Sequence, residues 1–81
     1  MNEHLDTPDA HLNARGLICP EPVLRAGQQL RRLTSGQLLE VLADDPLAEL
    51  DFQVFCDQTG HSLVSMVRIE PSTIRVLIRR R

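Results

Sequence analysis

Two prolines one residue apart, Pro20 and Pro22, fix where a helix in this chain can begin. Proline lacks an N–H and holds φ near the helical value, so the first helical turn accepts it and later turns do not. The segment Arg15-Gly16-Leu17-Ile18-Cys19 just ahead of them joins a short extended stretch to that helix. Cys19 therefore falls at or beside the N-cap. A thiol there lies at the positive end of the helix dipole, which favours the thiolate. Two prolines also stiffen the corner, so the sulfur is held in place. Against this, Pro20 and Pro22 remove two N–H donors, leaving chiefly those of Glu21 and Val23, and the Glu21 carboxylate opposes a second negative charge nearby. A free cysteine is also most often a buried, inert hydrophobe. The residues alone leave both readings of Cys19 open.

The rest of the chain supplies the frame. Residues 1–10 carry Asp6, Pro8 and Asp9 with little apolar content and read as a flexible leader, leaving 11–81 as a single domain. Leu12 to Ala14 form a short strand ended by Gly16. From Pro20 onward Val23, Ala26, Gly27, Leu30 and Leu33 repeat at helical spacing, with Gln28, Gln29, Arg31 and Arg32 outward and Gly36 as the stop. Leu38 to Ala43 reads as a buried strand. Asp45-Pro46 is a helix-start signal for a second helix from Leu47 to about Gln58, closed by Gly60. That helix carries two apolar stripes, Leu47/Leu50/Val54 and Ala48/Phe52/Cys56. Leu63–Ile69 and Thr73–Arg79 form a hairpin through Glu70-Pro71-Ser72.

The order is β-α-β-α-β-β. The fold expected is α+β, a two-layer sandwich with both helices on one face of a four-stranded mixed sheet. The other face would be open, carrying Leu77 and Arg75 beside Val64 and Met66 or their strand neighbours, and reads equally as a docking surface or as a plain solvated face.

Composition narrows the function classes. At 81 residues there is room for one core. A net charge of −2 gives no overall pull toward nucleic acid or anionic membrane, although all nine cationic residues are arginines and three close the chain as Arg79-Arg80-Arg81. No apolar run is long enough to span a bilayer, and residues 1–10 lack a signal-peptide pattern, so the expectation is a cytosolic protein. With two cysteines and scattered His4, His11 and His61, no spacing suits a structural zinc site, and neither a metal nor a cofactor is expected. The two cysteines are expected to be thiols in a reducing compartment.

The run Leu12-Asn13-Ala14-Arg15-Gly16-Leu17-Ile18-Cys19-Pro20-Glu21-Pro22-Val23-Leu24 resembles the opening of the TusA/SirA-like sulfur-carrier proteins, whose signature is a Cys-Pro-x-Pro box after a first strand. The likeness continues in Ala43-Asp44-Asp45-Pro46, Phe55-Cys56 and Gly60-His61-Ser62-Leu63, and covers residues 11 to 81. Two departures stand out: Asn13 replaces a common aspartate, and the chain has no lysine. The resemblance implies a sandwich similar to the C-terminal domain of translation initiation factor 3. It also implies a sulfurtransferase role, with Cys19 carrying a persulfide. Pro20, Glu21, Pro22, Arg15 and Gly16 would support that sulfur. The donor would be a cysteine desulfurase or rhodanese-type protein, and the acceptor a further relay protein serving tRNA 2-thiolation, sulfur oxidation or cofactor assembly. A monomer is expected.

Sulfur relay requires a thiol with access and adequate nucleophilicity, and no general base of its own if the partner supplies one. Arg15 and Arg25 are candidates for favouring the anion, or are plain surface charges. His61 and Cys56 read first as structural. Two other classes compete. A thiol–disulfide switch would pair Cys19 with Cys56. A small RNA-binding module would need aromatic platforms, and the chain has no Trp or Tyr and only two Phe, both on the second helix.

Overall fold

A computed structural model describes residues 7–81. The elements are β1 (Ala10–Ala14), α1 (Glu21–Arg31), β2 (Leu38–Ala43), α2 (Ala48–Thr59), β3 (Ser62–Glu70) and β4 (Thr73–Arg79). They form one sheet in the order β1-β2-β4-β3. β1 runs parallel to β2 through the α1 crossover, while β2–β4 and β3–β4 are antiparallel, so the sheet is mixed as the element order requires.

Alternation along the strands decides what the helices cover. Leu39, Val41 and Ala43 on β2 and Ile74, Val76 and Ile78 on β4 share one face and pack against Ala26 and Leu30 of α1 and Ala48, Phe52 and Cys56 of α2. Phe52 is the largest fully buried side chain. Of the two apolar stripes on α2, Ala48/Phe52/Cys56 is therefore the core stripe, while Leu47, Leu50 and Val54 are exposed. α1 meets α2 where the Phe55 ring lies beside Gly27.

Several sequence expectations shift in detail. β1 begins at Ala10 and is preceded by a tie to β2: the Asp9 N–H donates to the Leu38 carbonyl at 2.7 Å, and the Leu38 N–H donates to the Asp9 carboxylate at 2.8 Å. Asp9 and Ala10 thus belong to the fold and not to a leader; residues 1–6 lie outside the described residues. α2 starts at Ala48, one residue later than its Pro46 suggests, because Asp45 Oδ2 accepts from the Leu47 N–H and Pro46-Leu47 form a turn first.

The hairpin brings a third difference. A register irregularity between Leu63 and Ser65 resets the alternation of β3. Met66 joins the core beside Leu63, and Ser65 and Val67 take the open face opposite Leu77 and Arg75. Leu77 itself is buried. The middle of the open face is polar: Glu40 receives His11 Nδ1 at 2.7 Å on one oxygen and a short hydrogen bond from Arg75 Nε on the other.

The terminal arginines have local work. Arg80 Nε donates to the Leu30 carbonyl at 2.8 Å, closing the C-terminal end of α1, and an Arg79 guanidinium nitrogen donates to the Gly36 carbonyl at 2.8 Å.

Candidate functional site

Cys19 is exposed and Cys56 is buried, and both are free thiols. Cys19 sits immediately before Pro20, the N-cap residue of α1, with Pro22 buried in the first turn. The turn that delivers it is pinned from two sides. Gly16, at a positive φ of 84°, donates its N–H to Asp44 Oδ1 at 2.9 Å, which joins the turn to the loop between β2 and α2. Asn13 Oδ1 accepts from the Arg15 N–H at 3.2 Å and from Arg15 Nε at 3.0 Å. Asn13, the departure from the family pattern, thus closes a local turn of its own.

The site does not stabilise a thiolate in the way the sequence suggests. The Glu21 N–H donates to the Ile18 carbonyl at 2.8 Å, so a donor expected for the sulfur is already engaged. Arg15 is turned to Asn13, and Arg25 pairs with Glu21 at 3.3 Å. Neither guanidinium serves the sulfur, and the Glu21 carboxylate faces Arg25. What acts on Cys19 comes from α2 and the loop before it. A hydrogen bond to Asp51 pushes the thiol above its ordinary range, helped by partial loss of solvation and by the negative charges of Asp51 and Asp45. Of the opposed effects weighed from the sequence, those against the anion prevail, and they come from Asp51 and Asp45 and not from Glu21.

Cys19, Pro20, Val23, Leu50, Asp51, Val54, Phe55 and Gln58 line one groove between α1 and α2. The second apolar stripe of α2 forms a wall of it. The apolar surface beside the sulfur is open: Ile18, next to Cys19 in the chain, is 71% exposed, and Leu50 on the groove wall is 59% exposed. A second cleft lies beyond Asp45, lined by Asp44, Glu49, Arg68, Ser72 and Ile74, and contains no thiol. Asp51 is the site residue the sequence reading missed. Its signal was available: an acid on the same stripe as Leu47 and Val54 marks that stripe as the outward one.

The other candidates lie elsewhere. Cys56 belongs to the core stripe, and burial first, then the Asp57 charge, pushes its thiol up to about 11. His61 accepts the Arg81 N–H on Nδ1 at 3.2 Å and lies 5.9 Å from the Phe55 ring centroid. Burial and then the charges of Arg80 and Arg81 lower its pKa. Both residues are thus tied into structure. Phe52 is buried and Phe55 half-buried against it, so neither offers a platform for a base. Among the described residues no group of three or more His, Cys, Asp or Glu is placed to hold a metal, and no helix is long and apolar enough to cross a membrane.

Comparison with known proteins converges on one group. The family described as sulfurtransferase TusA matches residues 10–80. The sulfur carrier protein TusA of Pseudomonas putida is 50% identical over 58 residues, covering 72% of each chain. The protein of the same name from Allochromatium vinosum is 48% identical over 56 residues, covering 69% of this chain and 74% of its own. The crystal structure of a SirA-like protein from Desulfitobacterium hafniense superposes with a TM-score of 0.77 at 27% identity, covering 86% of this chain and 95% of that one.

Proposed function

The chain belongs to the TusA family of sulfur carriers, and on that premise we propose that it carries sulfane sulfur as a persulfide on Cys19 and relays it to an acceptor protein. The observation that carries this reading is the contrast between the two thiols: Cys19 is exposed at an apolar groove, and Cys56 is sealed in the core.

The transfer needs no outside oxidant. Cys19 Sγ attacks the terminal sulfur of a donor cysteine persulfide, and a new S–S bond forms as the donor's S–S bond breaks. The electron pair leaves with the donor cysteine sulfur, which takes up the proton that Cys19 gives up. Release repeats the exchange: an acceptor thiol gives up its proton as it attacks the terminal sulfur, and Cys19 leaves with the electron pair of the broken S–S bond and takes up that proton. The protein's part is to hold Cys19 at a stiff corner, accessible and flanked by apolar side chains that exclude water once a partner docks. Family membership implies a sulfur donor and a sulfur acceptor as partners. A cysteine desulfurase or rhodanese-type donor suits the chemistry, and a cytosolic setting suits free thiols.

A pulse-chase tests the relay. The protein is loaded with labelled sulfur by a cysteine desulfurase, freed of donor, and mixed with an acceptor relay protein. Label moving to the acceptor supports the proposal, and label staying on the chain contradicts it. The thiol–disulfide switch is not favoured, since Cys56 points into the core from a different stripe of α2 than the one that faces Cys19.

A further inference from the structure

Cys19 and Asp51 line the same groove from opposite walls, the thiol from the start of α1 and the carboxylate from the first turn of α2. Across that groove the Asp51 carboxylate is the strongest of the groups that push the thiol above its ordinary range, as an acceptor for its proton and as a charge. Neither Asp51 nor Asp45 has an ion-pair partner among the described residues: the nearby guanidinium of Arg25 is held by Glu21, and Arg68 is held by Glu49 at 3.6 Å. The charged groups that bear on the sulfur are therefore Asp51 from α2 and Asp45 from the loop before it, both negative. Those of α1, Glu21 and Arg25, pair with each other.

We propose that Asp51 is the positioning residue of the sulfur site, holding the proton of Cys19 while the protein is unpartnered, so that an exposed thiol at an open groove stays unreactive until a partner changes that contact. This rests on the reading of Cys19 as the sulfur-bearing residue. A carboxylate accepts from S–H only while the sulfur is protonated, and its charge opposes the anion that the thiolate would be. Alkylation and oxidation both proceed through the thiolate, so the contact slows them. Asp45 adds to the field without the hydrogen bond and is the lesser contributor.

Alkylation of the full-length protein by iodoacetamide, a neutral probe, is followed across pH and mapped by peptide mass spectrometry to separate Cys19 from Cys56. In the wild type the Cys19 midpoint lies above that of an ordinary exposed cysteine, about 8.5. Asp51→Asn lowers the midpoint and raises the Cys19 rate at pH 7 on the order of three- to tenfold, since each unit of pKa is tenfold in thiolate. Asp51→Glu restores most of the wild-type profile, and Asp45→Asn shifts it less than Asp51→Asn. A wild-type midpoint at or below the ordinary value, or an unchanged profile in folded Asp51→Asn, overturns the proposal. Persulfide loading of the wild type, run alongside, separates the two claims: no sulfur on Cys19 defeats the carrier reading, while a flat alkylation response defeats the role of Asp51.

Discussion

The N–H of Gly16 reaches Asp44 Oδ1 at 2.9 Å, and through that bond the turn before Cys19 is fastened to the loop that leads into α2. Gly16 and Asp44 are 28 residues apart, and the bond spans the parallel strands β1 and β2 at the end where both chains leave the sheet. It fixes the two sides of the sulfur groove relative to each other. Asp44→Ala should cost about 1 kcal/mol in a urea melt, the usual value of one such hydrogen bond, and slow sulfur loading of Cys19. Asp44→Asn keeps an acceptor oxygen and should recover most of both. An unchanged melt and loading rate in Asp44→Ala would show that the loop is held by other contacts.

Cys56 is expected to be dispensable for carrying sulfur. Cys56→Ala removes a small buried side chain from the core beside Phe52 and should destabilise by about 1 kcal/mol, with persulfide loading at the wild-type level. Mass analysis without reductant should show no intramolecular bridge in the wild type. Complete loss of transfer in a folded Cys56→Ala protein would instead favour the two-cysteine switch.

On the opposite side of the sheet, the network around Glu40 links stability to pH. Its carboxyl is held below the usual range, chiefly by the hydrogen bond from Arg75 and then by that from His11, against a smaller opposing effect of burial. A carboxylate whose pKa is lower in the folded state stabilises the fold above its unfolded pKa, about 4.3, and the contribution fades as pH falls through the folded value. Urea melts of Glu40→Gln and wild type should therefore differ at pH 6 to 7 and draw together in acid. A gap that stays constant down to the acid limit would mean that the pairing contributes through packing and not charge.

Much of this was legible in the residues. Pro20 and Pro22 fix the start of α1, and the apolar spacing from Val23 to Leu33 fixes its buried side, because both follow from local sterics and one helical period. The order of elements and the two layers follow from the same evidence. The choice between the two stripes of α2 did not, since both are apolar and only contact with the sheet distinguishes them; Asp51 and Gln58 on the outward stripe were the available clue. The face of Met66 was hidden because a register irregularity after Leu63 breaks the two-residue alternation. The groups that bear on the Cys19 proton were hidden for a related reason. Helix-terminus arguments use neighbours in sequence, whereas the groups that decide here, Asp51 and Asp45, arrive from another element.

The central claim is that sulfur resides on Cys19. The protein should be incubated with a cysteine desulfurase and cysteine, trapped with an alkylating agent, and digested for peptide mass spectrometry, in parallel with Cys19→Ser and Cys56→Ala. One added sulfur atom on the Cys19 peptide, lost in Cys19→Ser and kept in Cys56→Ala, is the predicted result. Sulfur found only on Cys56, or loading undiminished in Cys19→Ser, would contradict it.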